Sequence, residues 1–199
     1  IDLEISGTAD FTGPANVCAV VGNNVYKPGS ADGSGGGADL TTPSLHTFSG
    51  TYQFNDKFTM MAEASLTGWD SLREIRIEFD NPLQADSAEE YNWADSWFYT
   101  IGGEYKFSDA FTFRAGVARD DSPISRPYRT PRMPDQDRMW YSLGLTWTAS
   151  EHLDVSASYV RVSMADTPEI DIGSSSGARL VGEYDGGANL FGVSAQYKF

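Results

Sequence analysis

Asn189-Leu190-Phe191-Gly192-Val193-Ser194-Ala195-Gln196-Tyr197-Lys198-Phe199 alternates from end to end. Phe191, Val193, Ala195, Tyr197 and Phe199 fall on one face of a strand, and Leu190, Gly192, Ser194, Gln196 and Lys198 on the other, because successive side chains of a strand point to opposite sides. One face is apolar and the other mostly small or polar. Two environments suit such a strand. In a transmembrane β-barrel the apolar face meets lipid, the polar face meets the lumen and the aromatic end sits in the interfacial girdle. In a soluble sheet the apolar face turns to a core.

The same alternation recurs in seven earlier segments. Ile1 to about Phe11 reads as a strand, followed by a loop over 12–37 that ends in a Gly/Ser-rich stretch. About Leu40 to Phe54 is the second strand, with Phe48, Tyr52 and Phe54 on one face. The third runs from Lys57 to Asp80 and bends at Gly68-Trp69; Phe58, Met60, Ala62, Ala64 and Leu66 share a face. The fourth, about Trp93 to Phe107, presents Trp97, Tyr99, Ile101, Gly103, Tyr105 and Phe107 together. Ala110 to about Arg119, about Gln136 to Ala149 and about His152 to Met164 follow. Ala178 to Phe199 is the eighth, bent at Gly186-Gly187.

The connections alternate in length. Those at 55–56, 108–109 and 150–151 are tight turns, whereas 12–37, 81–92, 120–135 and 165–177 are long. Transmembrane barrels have this asymmetry, with short periplasmic turns and longer outer loops. Parity then puts Phe199 on the short-turn side, provided 178–199 is one descending strand rather than a hairpin. The expected fold is all-β: an antiparallel transmembrane β-barrel of eight long strands, in one domain over 1–199.

Composition narrows the function. The chain has 199 residues and a net charge of −14, which excludes a nucleic-acid partner, since phosphate backbones require a basic surface. The mean hydropathy of −0.37 is compatible with a barrel, where only alternate residues meet lipid. No apolar run approaches the ~20 residues of a membrane helix. Cys18 is the only cysteine, and His46 and His152 lie far apart, so no metal site and no cofactor is expected. Phosphate-loop and zinc motifs are missing from the sequence, and no enzyme is expected.

Several stretches resemble the FadL/TodX family of outer-membrane transporters for long-chain fatty acids and other hydrophobic compounds. They are 40–50, 96–109, 113–117 and 191–194, together with Arg129-Thr130-Pro131-Arg132-Met133-Pro134-Asp135-Gln136-Asp137-Arg138 running into 140–144. The resemblance implies a Gram-negative outer-membrane location. It also implies passive uptake of a hydrophobic small molecule such as a fatty acid or an aromatic hydrocarbon. Members are fourteen-stranded, with an N-terminal hatch carrying an Asn-Pro-Ala signature. The eight strands here match the last eight, and the strand-like start at Ile1 points to a piece of a longer barrel whose N-terminal part is missing. The alternative is a small eight-stranded barrel of structural or adhesive function; a soluble sandwich is the third reading.

The lumen face carries Glu63, Glu104, Lys106, Arg114, Arg138, Asp154 and Lys198. Opposite charges on neighbouring strands, such as Glu104 and Arg114, are placed to pair. Arg114 and Arg138 are the candidates for a ligand carboxylate, and Met61, Phe98 and Trp140 for an apolar track. The acidic outer positions (Asp86, Glu89, Glu90, Asp95, Asp120, Asp121, Asp135 and Asp137) lack calcium-loop spacing and read as a solvated rim. The proline-rich segment 123–134, with Arg126, Arg129 and Arg132, reads as a rigid mouth, with lipopolysaccharide phosphates as the other possible partner. Lipid and lipopolysaccharide of the outer membrane are the expected surroundings.

Overall fold

Each tight turn is closed by a side chain at its first position. Asn55 Oδ1 accepts hydrogen bonds from the backbone N–H groups of Lys57 and Phe58, both at 2.9 Å. Ser108 Oγ accepts from Ala110 and Phe111 at 3.3 and 3.2 Å, and Ser150 Oγ from the N–H of His152 at 3.3 Å. Asn and Ser suit these places because their short polar side chains mimic a backbone acceptor.

The computed structural model describes residues 2–8, 19–21, 24–26, 35–79, 85–173 and 177–199. Its strands are β1 Asp2–Thr8, β2 Ala19–Val21, β3 Asn24–Tyr26, β4 Gly35–Thr41, β5 Ser44–Gln53, β6 Phe58–Gly68, β7 Glu74–Phe79 and β8 Ser87–Glu90. They continue as β9 Ser96–Lys106, β10 Phe111–Asp120, β11 Arg138–Ser150, β12 Leu153–Met164, β13 Glu169–Gly173, β14 Arg179–Glu183 and β15 Gly187–Tyr197. They sort into two compact units. One contains the four-stranded sheet β1-β4-β7-β8. The other contains the seven-stranded antiparallel sheet β15-β12-β11-β10-β9-β6-β5.

Several expected strands are broken. The second splits at 42–43 into β4 and β5, and its sheet structure starts at Gly35, inside the span read as loop. The third is interrupted by a 3-10 turn, Trp69–Ser71, after which β7 pairs with β4 and β8 rather than continuing with β6 in the seven-stranded sheet. A bend that only redirects a strand and one that ends its ladder have the same sequence signature, a glycine beside a bulky residue. β8 occupies part of the span read as loop 81–92, and β13 part of 165–177. β13 pairs with β14, and there Arg179 donates two 2.7 Å hydrogen bonds to Asp171. That bonding holds the Asp171 carboxyl below the ordinary range.

Within each of the two larger sheets, strands that follow one another along the chain lie side by side and pair antiparallel. Residues 184–186 interrupt the eighth expected strand without reversing it: β14 pairs with β13, and β15 with β12. Lys198 N–H donates to His152 O at 2.8 Å, placing the end of the chain beside a short turn.

Register sorts the seven-stranded sheet into two faces. Rows such as Phe58, Tyr105, Phe113, Leu145, Ala157 and Val193 run across it on one side. Rows such as Met61, Gly102, Gly116, Ser142 and Val160 run across the other. The apolar face is open: Phe48, Leu143, Phe191 and Val193 are all more than 60% exposed. A water-facing surface of this kind would far exceed the apolar patches that soluble proteins tolerate, so lipid is its solvent. From Trp97 to Tyr105 β9 rises ~27 Å at ~3.4 Å per residue, which a barrel tilt of ~40° reduces to ~21 Å, near the apolar height of outer-membrane barrels. Among the described residues no helix is long and apolar enough to cross a membrane; the chain crosses with strands.

Candidate functional site

The polar face is smooth because its central positions are small. Gly102, Gly116, Ser142, Gly144 and Ser158 line a furrow of about 540 Å³, with Met61, Glu63, Thr100 and Arg114 at its sides. Strand alternation exposes these positions to the lumen, and their lack of bulk leaves the space. Glycine and serine carry little hydropathy signal, so the furrow leaves no mark in the sequence pattern. Only the neighbouring-strand register makes the small residues contiguous.

Arg114 projects into this furrow from β10. Its Nε donates to Glu104 Oε2 on β9 at 2.7 Å, and its Nη1 to Thr146 Oγ1 on β11 at 2.7 Å. Thr146 is in turn 2.8 Å from Ser156 Oγ on β12. One polar ladder therefore ties four strands together across the lumen wall. The Glu104–Arg114 pairing expected from the sequence is present because the two residues are direct register partners. Glu63 accepts from Ser65 Oγ at 3.1 Å, and Lys198 Nζ pairs with Asp154 Oδ2 at 2.8 Å near the short turns.

Both ions of the Glu104–Arg114 pair are partly solvated, which limits its worth. A double-mutant cycle with Glu104→Gln and Arg114→Gln is expected to give a coupling of ~1 kcal/mol or less. Unfolding in urea measures it. A coupling of several kcal/mol would show that the lumen wall is far drier than this exposure implies.

Phe98, Arg138 and Trp140 come together at the long-connection end of the polar face. Phe98 lies opposite Asp120, Asp120 opposite Arg138, and Trp140 opposite Ala118 and Val162. Arg138 pairs with Asp120 Oδ2 at 2.9 Å and Asp135 Oδ1 at 3.3 Å. The five candidates thus form two groups: Met61 and Arg114 in the furrow, and Phe98, Arg138 and Trp140 at the mouth. Both arginines meet carboxylates of the wall, so a ligand carboxylate would have to compete with them.

The mouth itself is built by the proline-rich segment, which is held rather than loose. Arg129 is only 8% exposed. It donates to Asp135 O at 2.8 Å, Gln136 Oε1 at 2.6 Å and Glu169 O at 3.4 Å. Arg126 pairs with Glu169. Ser122 N–H donates to Asp137 Oδ1 at 2.9 Å, and Ser122 Oγ is 2.8 Å from Asp135 Oδ2. Several rim carboxylates are thus consumed by arginine and serine. Among the described residues no group of three or more metal-ligating side chains is placed to hold an ion.

A sequence profile described as outer membrane protein transport protein (OMPP1/FadL/TodX) matches residues 4–199. The chain is 28% identical over 202 residues to the long-chain fatty acid transport protein of Escherichia coli O6:H1 strain CFT073, covering 100% of this chain and 44% of that protein. It is 29% identical over 183 residues to outer membrane protein P1 of Haemophilus influenzae strain Rd, covering 88% and 39%. Among solved structures, a Pseudomonas aeruginosa FadL homologue superposes with a TM-score of 0.72 at 30% identity, covering 82% of this chain and 37% of that one. The P. putida toluene transporter TodX shares the fold at a TM-score of 0.58 and 14% identity, with coverages of 99% and 42%. The chain spans less than half the length of these relatives.

Proposed function

The chain belongs to the outer membrane protein transport family (OMPP1/FadL/TodX), and on that premise we propose that it forms part of the wall of a channel for passive uptake of hydrophobic compounds. Fatty acids and toluene, which appear in the names of relatives, are the substrate classes to test. In this reading the protein is a transporter without a catalytic role, and the seven-stranded sheet continues into strands outside this chain. Among the described residues β5 and β15 each have one unpaired edge, and an open edge in lipid leaves backbone groups without partners.

The furrow is the observation that carries the reading. A lumen wall of glycine and serine offers width, while the Arg114 ladder satisfies the charge that would otherwise grip a passing molecule. Met61 supplies an apolar contact at its side, and Phe98 and Trp140 supply others at the mouth. We assign these three to the hydrophobic ligand. Arg114 and Arg138 serve a carboxylate only when it displaces a wall carboxylate.

Uptake of labelled oleate and of toluene by a deletion strain carrying the full-length gene tests the proposal. No gain over the empty strain for either compound would defeat it. Gly144→Phe refines the test. A Cβ at Gly144 meets nothing closer than Arg114 Cβ at 3.5 Å, so the side chain enters the furrow without forcing the backbone. Uptake is expected to fall by about ten-fold, as narrowing a path designed for an apolar solute costs at least one well-packed contact. Uptake at the parental rate would remove the furrow from the pathway.

A further inference from the structure

Arg161 is exposed on the apolar face of the sheet, where a charge is costly unless it reaches the membrane interface. Arg119 lies on the same face, but it is bonded to Asp121 at 2.7 Å and Asp137 at 3.0 Å. Arg161 has no ion pair among the described residues. Its guanidinium nevertheless has a defined seat. A Cβ built on Gly187 would stand 3.0 Å from Nη2 and 3.2 Å from Cζ, so the group lies over a position that only glycine leaves free. Tyr141 and Asn189 flank Arg161 in register, and the Tyr159 hydroxyl donates to Asn189 Oδ1 at 2.8 Å.

Depth fixes which interface this is. Arg161 lies on β12 eight residues above Leu153, which adjoins the short turn; at ~3.3 Å per residue and a tilt of ~40° that is ~20 Å, near the outer limit of the apolar band. Just below it on the same face is an apolar groove of about 660 Å³, lined by Phe113, Leu143, Leu145, Ala157, Tyr159 and Phe191. The Tyr159 and Phe191 rings, 4.9 Å apart, stand at its upper end. A seated cation above an apolar groove matches a molecule with an anionic head and a hydrocarbon tail.

We propose that Arg161 and this groove bind one lipid A molecule of the outer leaflet. The guanidinium holds a phosphate through paired hydrogen bonds, and an acyl chain lies along Leu143, Tyr159 and Phe191. The long-connection side faces outward, and the outward leaflet of this membrane is built on phosphorylated lipid A. In a chain of net charge −14, a cation left open on this face is what admits an anionic head. The site depends on outer-membrane placement and not on the transport reading, so uptake is expected to survive its loss.

The test uses the full-length protein that contains this chain, purified in mild detergent, with retained lipid A counted by native mass spectrometry. Arg161→Ala is expected to lower retention by about ten-fold, the loss of a charge-assisted hydrogen bond, while Arg161→Lys keeps most of it. Ala157→Phe, which fills the groove and spares the arginine, is expected to lower retention as well. Equal retention in Arg161→Ala and parent overturns the proposal. So does equal retention after incubation with phosphatidylglycerol vesicles lacking lipid A, which would mark a generic phosphate site. If Arg161→Ala loses heat-modifiable mobility, the sign of a folded barrel, and Arg161→Lys does not restore it, the arginine holds a protein group and the proposal fails. Uptake is measured alongside; its loss in all channels bears on the transport reading alone.

Discussion

Val193→Arg lowers the stability of the folded barrel by ~2–4 kcal/mol, the cost of a cation near the bilayer midplane, whereas Ser194→Arg, one residue on, leaves it within ~1 kcal/mol. Val193 is 81% exposed on the apolar face and is the register partner of Ala157. It stands four residues above Tyr197, or about 10 Å up the strand after tilt, close to half the apolar height. The arginine cannot reach either interface from there without straining its stem. Ser194 is the partner of Ser156 on the polar face, where water solvates the new charge and Asp154 stands two residues along β12. Urea unfolding in phospholipid vesicles, with heat-modifiable mobility as a check on folding, measures both variants. Equal losses would mean that the two faces do not meet different solvents, and the membrane assignment of the sheet would fall with that result.

Alternation carried most of this fold into view because side-chain period is a local property. Phe111, Phe113, Ala115 and Val117 had to share a face whatever their neighbours, and register places them beside Tyr105, Leu145 and Tyr141 on that face. The Asn55, Ser108 and Ser150 turns were legible for the same reason. What local period does not encode is where a ladder ends. At Trp69 the chain turns through a 3-10 segment and β7 takes new partners. Those partners, Gly36 and Gly37, lie some forty residues away in a glycine-rich stretch that reads as flexible loop. β13 is hidden because Glu169–Gly173 is short and sits in a stretch that reads as loop, while its partner Arg179–Glu183 falls within the expected eighth strand; the pairing is what makes Glu169–Gly173 a strand.

The lumen was legible in part. Glu104 and Arg114 announced themselves by opposite charge across one hairpin, whose register a tight turn fixes. Arg138 reads in the sequence as open to a ligand, yet two carboxylates meet it, one of them from its own segment three residues before. Arg161 carries no such signal, since one charge in an otherwise alternating strand looks like solvent exposure. Only its seat on Gly187 and the groove beneath it give that exposure a chemical meaning.

Arg129→Ala is expected to release the mouth without unfolding the sheet. The sequence shows Arg129 as one of three arginines in a proline-rich run, and nothing local says that it alone is buried. Its partners explain the difference: Asp135 O and Gln136 Oε1 lie within its own segment, whereas Glu169 O comes from a stretch 40 residues on. There Ile170 is 1% exposed, and Ile124 of the proline-rich segment is 6% exposed. Truncation leaves buried acceptors without donors, a local loss of ~3 kcal/mol for hydrogen bonds to a charged group. Arg129→Lys is expected to restore little, because one ammonium cannot reproduce a planar fork aimed at separate acceptors. Hydrogen exchange on the full-length protein reads the effect. The amides of Ser122, Ala165 and Met133, bonded to Asp137 Oδ1, Asp137 O and Thr130 O, are expected to exchange about a hundred-fold faster, the equivalent of that local loss. Amides of the β10–β11 ladder are expected to keep their protection. Unchanged exchange at the mouth would show that the prolines alone hold it, and loss of protection in β10 and β11 would make Arg129 a support of the whole sheet rather than of its rim.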